Sequence, residues 1–122
     1  MSHLFSFEKL QVWQEARILA KMIYLATHSY PKAEVFGITS QMRRAAVSVS
    51  SNIAEGSGRT SRKDQARFYQ ISYSSGLELL NQLILSVDLE YIPNEQYDKI
   101  RAQIECVTNK TNALRKMCLG GY

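Results

Sequence analysis

Two polar stripes in this sequence hold the residue types that acid–base or nucleophilic chemistry would need. Arg44, Ser48, Asn52 and Glu55 recur at steps of three and four, and so do Ser75, Glu78 and Gln82, so each set shares one face of a helix. Two carboxylates near several hydroxyls could in principle pass a proton. A nucleophilic serine would also need a base, and the only histidines, His3 and His28, fall outside both stripes. Neither follows an acidic residue at the three-residue spacing by which helical bundles hold metals. Polar groups set into apolar helices must find partners, and networks of them fix the register of a helix pair or a subunit interface. The expectation is therefore a structural polar network of Gln41, Ser48, Asn52, Glu55, Ser75, Glu78 and Gln82. No catalytic residue, metal or cofactor is expected.

Positive charge is the second chemical feature. The chain carries 15 Lys and Arg against 11 Asp and Glu, a net charge of +4. Residues 40–70 hold Arg43, Arg44, Arg59, Arg62, Lys63 and Arg67 against Glu55 and Asp64, so this window alone accounts for the whole excess. Within it, Gly56 and Gly58 break the pattern just before a helix start at about residue 62. Free N–H groups, the positive end of a helix dipole and nearby cations make an anion cradle there, suited to RNA or DNA phosphates. The competing reading is a solvated hairpin whose cations serve solubility. No aromatic residue interrupts the basic run before Phe68 and Tyr69, so sequence-specific base stacking is not indicated.

The elements that must position these residues follow from apolar periodicity. Pro31, Pro93 and the Gly56-Ser57-Gly58 step divide the chain into four segments. Val12, Ala16, Leu19, Ile23 and Ala26 predict a first helix over about 7–28; Ile38, Met42, Ala45, Ala46, Val49 and Ile53 predict a second over about 38–55, stopped by Gly56. A third, about 62–90, begins at a capping box of Ser61 and Asp64 and spreads Phe68, Ile71, Leu79, Leu80, Leu83, Ile84 and Val87 over more than one face. Burial on two sides, including a second subunit, is the expected consequence. The fourth, about 94–118, places Tyr97, Ile100, Ile104, Val107, Thr111, Leu114 and Cys118 in alternating steps of three and four. Such helices with short connections make an all-α, antiparallel up-down-up-down four-helix bundle, a single domain over residues 1–122.

Composition narrows the class further. With 45% hydrophobic and 21% charged residues the chain can bury a core. No run approaches the roughly 18 apolar residues of a membrane span, and "MSHLFSFEKLQVW" lacks the basic-then-apolar order of a leader, so a cytoplasmic location and no membrane contact are expected. Cys106 and Cys118, on one helix, would stand about 18 Å apart along its axis at 1.5 Å per residue, too far for a disulfide.

"FEKLQVWQEA", "QMRRAAVSVSSNIAEGSGRTSRKDQARF" and "LELLNQL" together resemble the 23S rRNA intervening-sequence protein family, small four-helix bundle proteins of bacteria. The resemblance covers nearly the whole length. Its most specific part is Gln41, Arg43, Arg44, Ser48, Asn52-Ile53-Ala54-Glu55-Gly56, Arg59, Ser61 and Lys63. It implies a homopentamer of unknown biochemical activity. The chain is also distantly similar to accessory variability determinant proteins of diversity-generating retroelements, basic pentameric bundles that bind a reverse transcriptase and nucleic acid. One departure stands in the third helix, where Ser74-Ser75-Gly76 replaces the family's usual Gly-Ser-Leu. That glycine costs helix propensity of about 1 kcal/mol and removes an apolar contact.

The expected function is that of a non-enzymatic, self-associating bundle that meets RNA or DNA phosphates through its second and third helices. The alternative is an oligomeric scaffold for a protein partner with no nucleic-acid role.

Overall fold

The computed structural model describes residues 3–120. Four helices account for most of them: α1 (Gln11–Thr27), α2 (Ile38–Ser57), α3 (Arg62–Asp88) and α4 (Asn94–Cys118). No strand occurs among the described residues. Cross-helix pairs run in opposite senses at every step: Arg43 reaches back to Thr27, Ser48 meets Ser75, Ser72 meets Val49, and Cys118 meets Gln65. The bundle is therefore up-down-up-down. The starts of α1 and α3 share one end with the finishes of α2 and α4. Among the described residues no helix is long and apolar enough to cross a membrane.

The core is what the spacing of apolar residues demands. Leu19 and Ile23 of α1, Met42, Val49 and Ile53 of α2, Leu79 and Leu83 of α3, and Ile104 and Val107 of α4 are almost wholly excluded from solvent. Small residues let helices approach closely at two further points. Gly56 lies inside α2, not beyond its end, and a Cβ there would stand 2.8 Å from Cε1 of Tyr69 and 3.0 Å from Cβ of Phe68. Its role is thus to admit α3, and the helix continues to Ser57 with Gly58 as its cap in ordinary right-handed geometry. Gly76 does the same toward α4, where an added Cβ would lie 2.6 Å from Cγ2 of Thr108.

Two local expectations need correction. The first helix begins at Gln11 because Ser6–Lys9 form a separate 3-10 turn and Leu10 is extended, at φ −74 and ψ 125. The Phe5 N–H donates to Oε1 of Glu8 at 3.0 Å, and Gln14 Nε2 donates to the Glu8 carbonyl at 2.9 Å, which fixes this turn against α1. At the start of α3 the Asp64 N–H donates to Oγ of Ser61 at 3.1 Å, but the Asp64 carboxylate turns to arginines, so only half of the capping box forms. At the end of α3 the chain leaves through Glu90 at φ 62, with Tyr91 N–H donating to the Ser86 carbonyl, a left-handed helix stop without a glycine.

Two buried phenols tie stability to pH. Burial pushes the hydroxyls of Tyr30 and Tyr69 above their ordinary pKa of about 10. The folded state then keeps these protons to higher pH than the unfolded chain does. Their contribution is full below the unfolded value and is lost as pH rises through the raised one. Urea midpoints should be level from pH 8 to 9 and fall above about pH 10, and Tyr69→Phe should flatten part of that fall.

Candidate nucleic-acid interface

The expected polar network forms in part. Ser48 and Ser75 hydroxyls meet across α2 and α3 at 2.8 Å, and Nδ2 of Asn52 donates to the Ser48 carbonyl at 2.8 Å and its hydroxyl at 3.0 Å. This small cluster joins the helices. Glu55 does not belong to it, because its carboxylate accepts from Arg59 at 3.0 Å on the surface. Gln41, Glu78 and Gln82 lie farther along, where Arg44, Phe36 and Leu85 join them around an open groove of about 710 Å³. Oε1 of Gln82 is buried there without a partner. Glu55 apart, the two sequence stripes are thus one hydrogen-bonded cluster and one polar groove. Among the described residues no group of three or more His, Cys, Asp and Glu could hold a metal.

The six basic positions do not form one surface. Arg43 stands near the start of α2, where Nε donates to Thr27 Oγ1 at 2.9 Å and the guanidinium lies 4.8 Å from the Tyr24 ring centre, pinning α1 to α2. Arg44 donates to Ser40 at 3.2 Å and faces the groove. Roughly 20 Å of helix separates both from the α2–α3 turn, at 1.5 Å per residue. At that turn Arg59 and Arg67 flank the Phe68 ring at 4.4 and 4.7 Å and share Asp64 at 3.8 and 3.0 Å. Arg62 and Lys63 are exposed and make no ion pair among the described residues. Ser61 takes one N–H of the α3 start and Asp64 sits beside it, so cations carry the attraction for an anion there.

A family model for the 23S rRNA-intervening sequence protein matches residues 8–113. The chain belongs to that family. Its fold is also that of a crystal structure of a protein of unknown function from the S23 ribosomal protein family of Bacteroides thetaiotaomicron, with a TM-score of 0.78. The two are 24% identical, over 86% of this chain and 98% of that one. No curated protein matches the chain.

In this intervening-sequence family bundle, folding sorts charge more sharply than the sequence window does. Halving each helix at its middle puts residues 3–19, 48–75 and 107–120 at one end, with nine Lys and Arg against four Asp and Glu, or +5. The other end has six against seven, or −1. Arg43 and Arg44 leave the basic set; Lys9, Arg17, Lys110, Arg115 and Lys116 enter it. Lys9 and Arg17 stand near Glu8 and Glu15, Lys110, Arg115 and Lys116 lie far beyond the basic window, and only the antiparallel topology gathers them. Sequence reasoning takes Trp13 for a core or interface residue and passes over the other aromatics of this end. Rings of His3, Phe5, Phe7 and Trp13 follow one another at 5.8, 6.4 and 4.9 Å. The alternation at 3, 5 and 7 is the signal that could have revealed them.

Proposed function

We propose that this bundle is a non-enzymatic nucleic-acid-binding protein that holds phosphate backbones on its +5 end. The observation that carries this reading is the pair Arg62 and Lys63, exposed cations that make no ion pair among the described residues and that open α3 just after the α2–α3 turn. Arg59 and Arg67, held on Phe68, present their guanidinium groups beside them. Contacts of this kind position a backbone and carry no base specificity. The family's description names a 23S rRNA-intervening sequence, and RNA is the first polyanion to try. Binding should fall steeply with salt, as counterions released on contact return to solution. Titration of labelled RNA and DNA at rising salt tests it, and absence of binding to both at low salt would refute it.

Self-association is a second, compatible reading, favoured by one observation. Phe36, 94% exposed, and Leu85 line the groove that holds Gln41, Arg44, Glu78 and Gln82. A second copy covering this groove removes the apolar surface from water and can supply a donor to Gln82 Oε1. The pentamer of the family resemblance is the assembly to look for. Phe36→Asp should lower the light-scattering mass; an unchanged mass would show that this groove is not the contact.

A further inference from the structure

We propose that the aromatic ladder of His3, Phe5, Phe7 and Trp13, set at the basic end of the bundle, stacks unpaired bases, so that the ligand is single-stranded nucleic acid. This rests on the phosphate-binding reading above and adds to it the class of strand.

The ladder is not spare core. None of the residues of the 3-10 turn is buried, and Phe5 is 64% exposed. The Phe5 and Phe7 rings are near parallel at 17°, while Phe7 meets Trp13 edge-on at 73°. Phe5 is held by Phe7, which Trp13 supports in turn, with the His3 ring edge-on to it at 77°, and it keeps most of its surface open to a flat ligand. The support is held, because Phe5 N–H and Gln14 Nε2 both bond to Glu8. Base faces stack on such rings whatever the base, but only where the strand is unpaired.

Charge selects the occupant. Lys9 is exposed beside the ladder, Arg17 lies 5.6 Å from the Trp13 ring centre, and the whole end carries +5. A basic surface that tracks a backbone next to aromatics that take bases is the general arrangement for single strands. A duplex could use the cations, but its bases are already stacked on one another.

The test uses the full chain with oligo(rA) and with the duplex it forms with oligo(rU). Phe5→Ala should weaken oligo(rA) binding on the order of tenfold and leave duplex binding unchanged. Phe5→Trp should restore it. Emission of Trp13, the sole tryptophan, should be quenched by oligo(rA) and not by the duplex. Circular dichroism should not change, since Phe5 contributes nothing to the core. If Phe5→Ala is neutral toward oligo(rA) while Arg62→Glu with Lys63→Glu abolishes binding, the stacking inference fails and the phosphate reading stands. If the wild type binds neither strand nor duplex, both fail. If Phe5→Ala alters the light-scattering mass without affecting oligo(rA), the ladder is a contact between copies and the inference is overturned.

Discussion

Replacing Arg62 and Lys63 together by glutamate is expected to weaken RNA binding on the order of a hundredfold at low salt and to leave the fold at least as stable as before. Two reversals remove four charges, taking the basic end from +5 to +1. The salt slope should fall with the lost contacts, by about one for each phosphate contact that is removed. Stability should move the other way. Arg62 and Lys63 occupy the first two positions of α3, where the helix dipole favours acidic residues by about 0.3–1 kcal/mol each. Cations at this place act against their own helix, and a solubilising role does not require them there. Glutamates should therefore raise the denaturation midpoint slightly while binding is lost. Arg43→Glu is the informative contrast, because that arginine donates to Thr27 and lies over Tyr24. It should lose stability and keep most of the binding. If Arg43→Glu abolished binding and the double reversal did not, the interface would lie at the other end.

What was legible in the sequence differs from helix to helix for a physical reason. In α1, α2 and α4 an unbroken run of apolar residues marks the buried face, small ones such as Ala16, Ala45 and Ala46 included, and Val12 to Ala26, Met42 to Ile53 and Ile100 to Thr111 are buried as their spacing predicts. In α3 the buried stripe is Ala66, Tyr69, Ser72, Gly76, Leu79, Leu83 and Ser86, with Gln82 beside it. Most of these are small or polar, because α3 lies close against both α2 and α4 and leaves little room between the helices. Hydrophobicity consequently pointed to Ile71 and Ile84, which are exposed. Ser72 illustrates how the close approach is satisfied: its hydroxyl donates to the Val49 carbonyl at 2.8 Å. The same limit applies to the site. Cations adjacent in sequence could be seen as a group, whereas Lys110, Arg115 and Lys116 join them only because α4 ends where α3 begins. Conversely, Arg43 and Arg44 share a sequence window with Arg59 and are carried to the opposite end by one helix.

Gly76→Leu is expected to destabilise the protein by about 3 kcal/mol or more, although leucine is the better helix former and the residue that the family resemblance leads one to expect. An added Cβ meets Cγ2 of Thr108 at 2.6 Å, before any of the longer side chain is placed. Thr108 cannot easily turn aside. Its hydroxyl donates to the Ile104 carbonyl at 2.8 Å, which holds χ1, and the residue is buried against α3. Either that bond breaks or α3 and α4 separate, and separation would shift α3 against α2, where the Ser48–Ser75 bond lies one residue away. Gly76→Ala is the sharper instrument. It gains about 1 kcal/mol of helix propensity and meets an overpacking cost of about 1–3 kcal/mol, for a net loss of about 1 kcal/mol by those two figures. Thr108→Ser alone, which removes the methyl, should cost about 1 kcal/mol for the space it leaves. Combined, the two changes should be better than additive, because the alanine methyl fills the place of the lost threonine methyl and the propensity gain is kept. Urea denaturation of the four proteins measures the coupling. Strict additivity would mean that Gly76 does not set the α3–α4 distance, and that the glycine in this chain has some other cause.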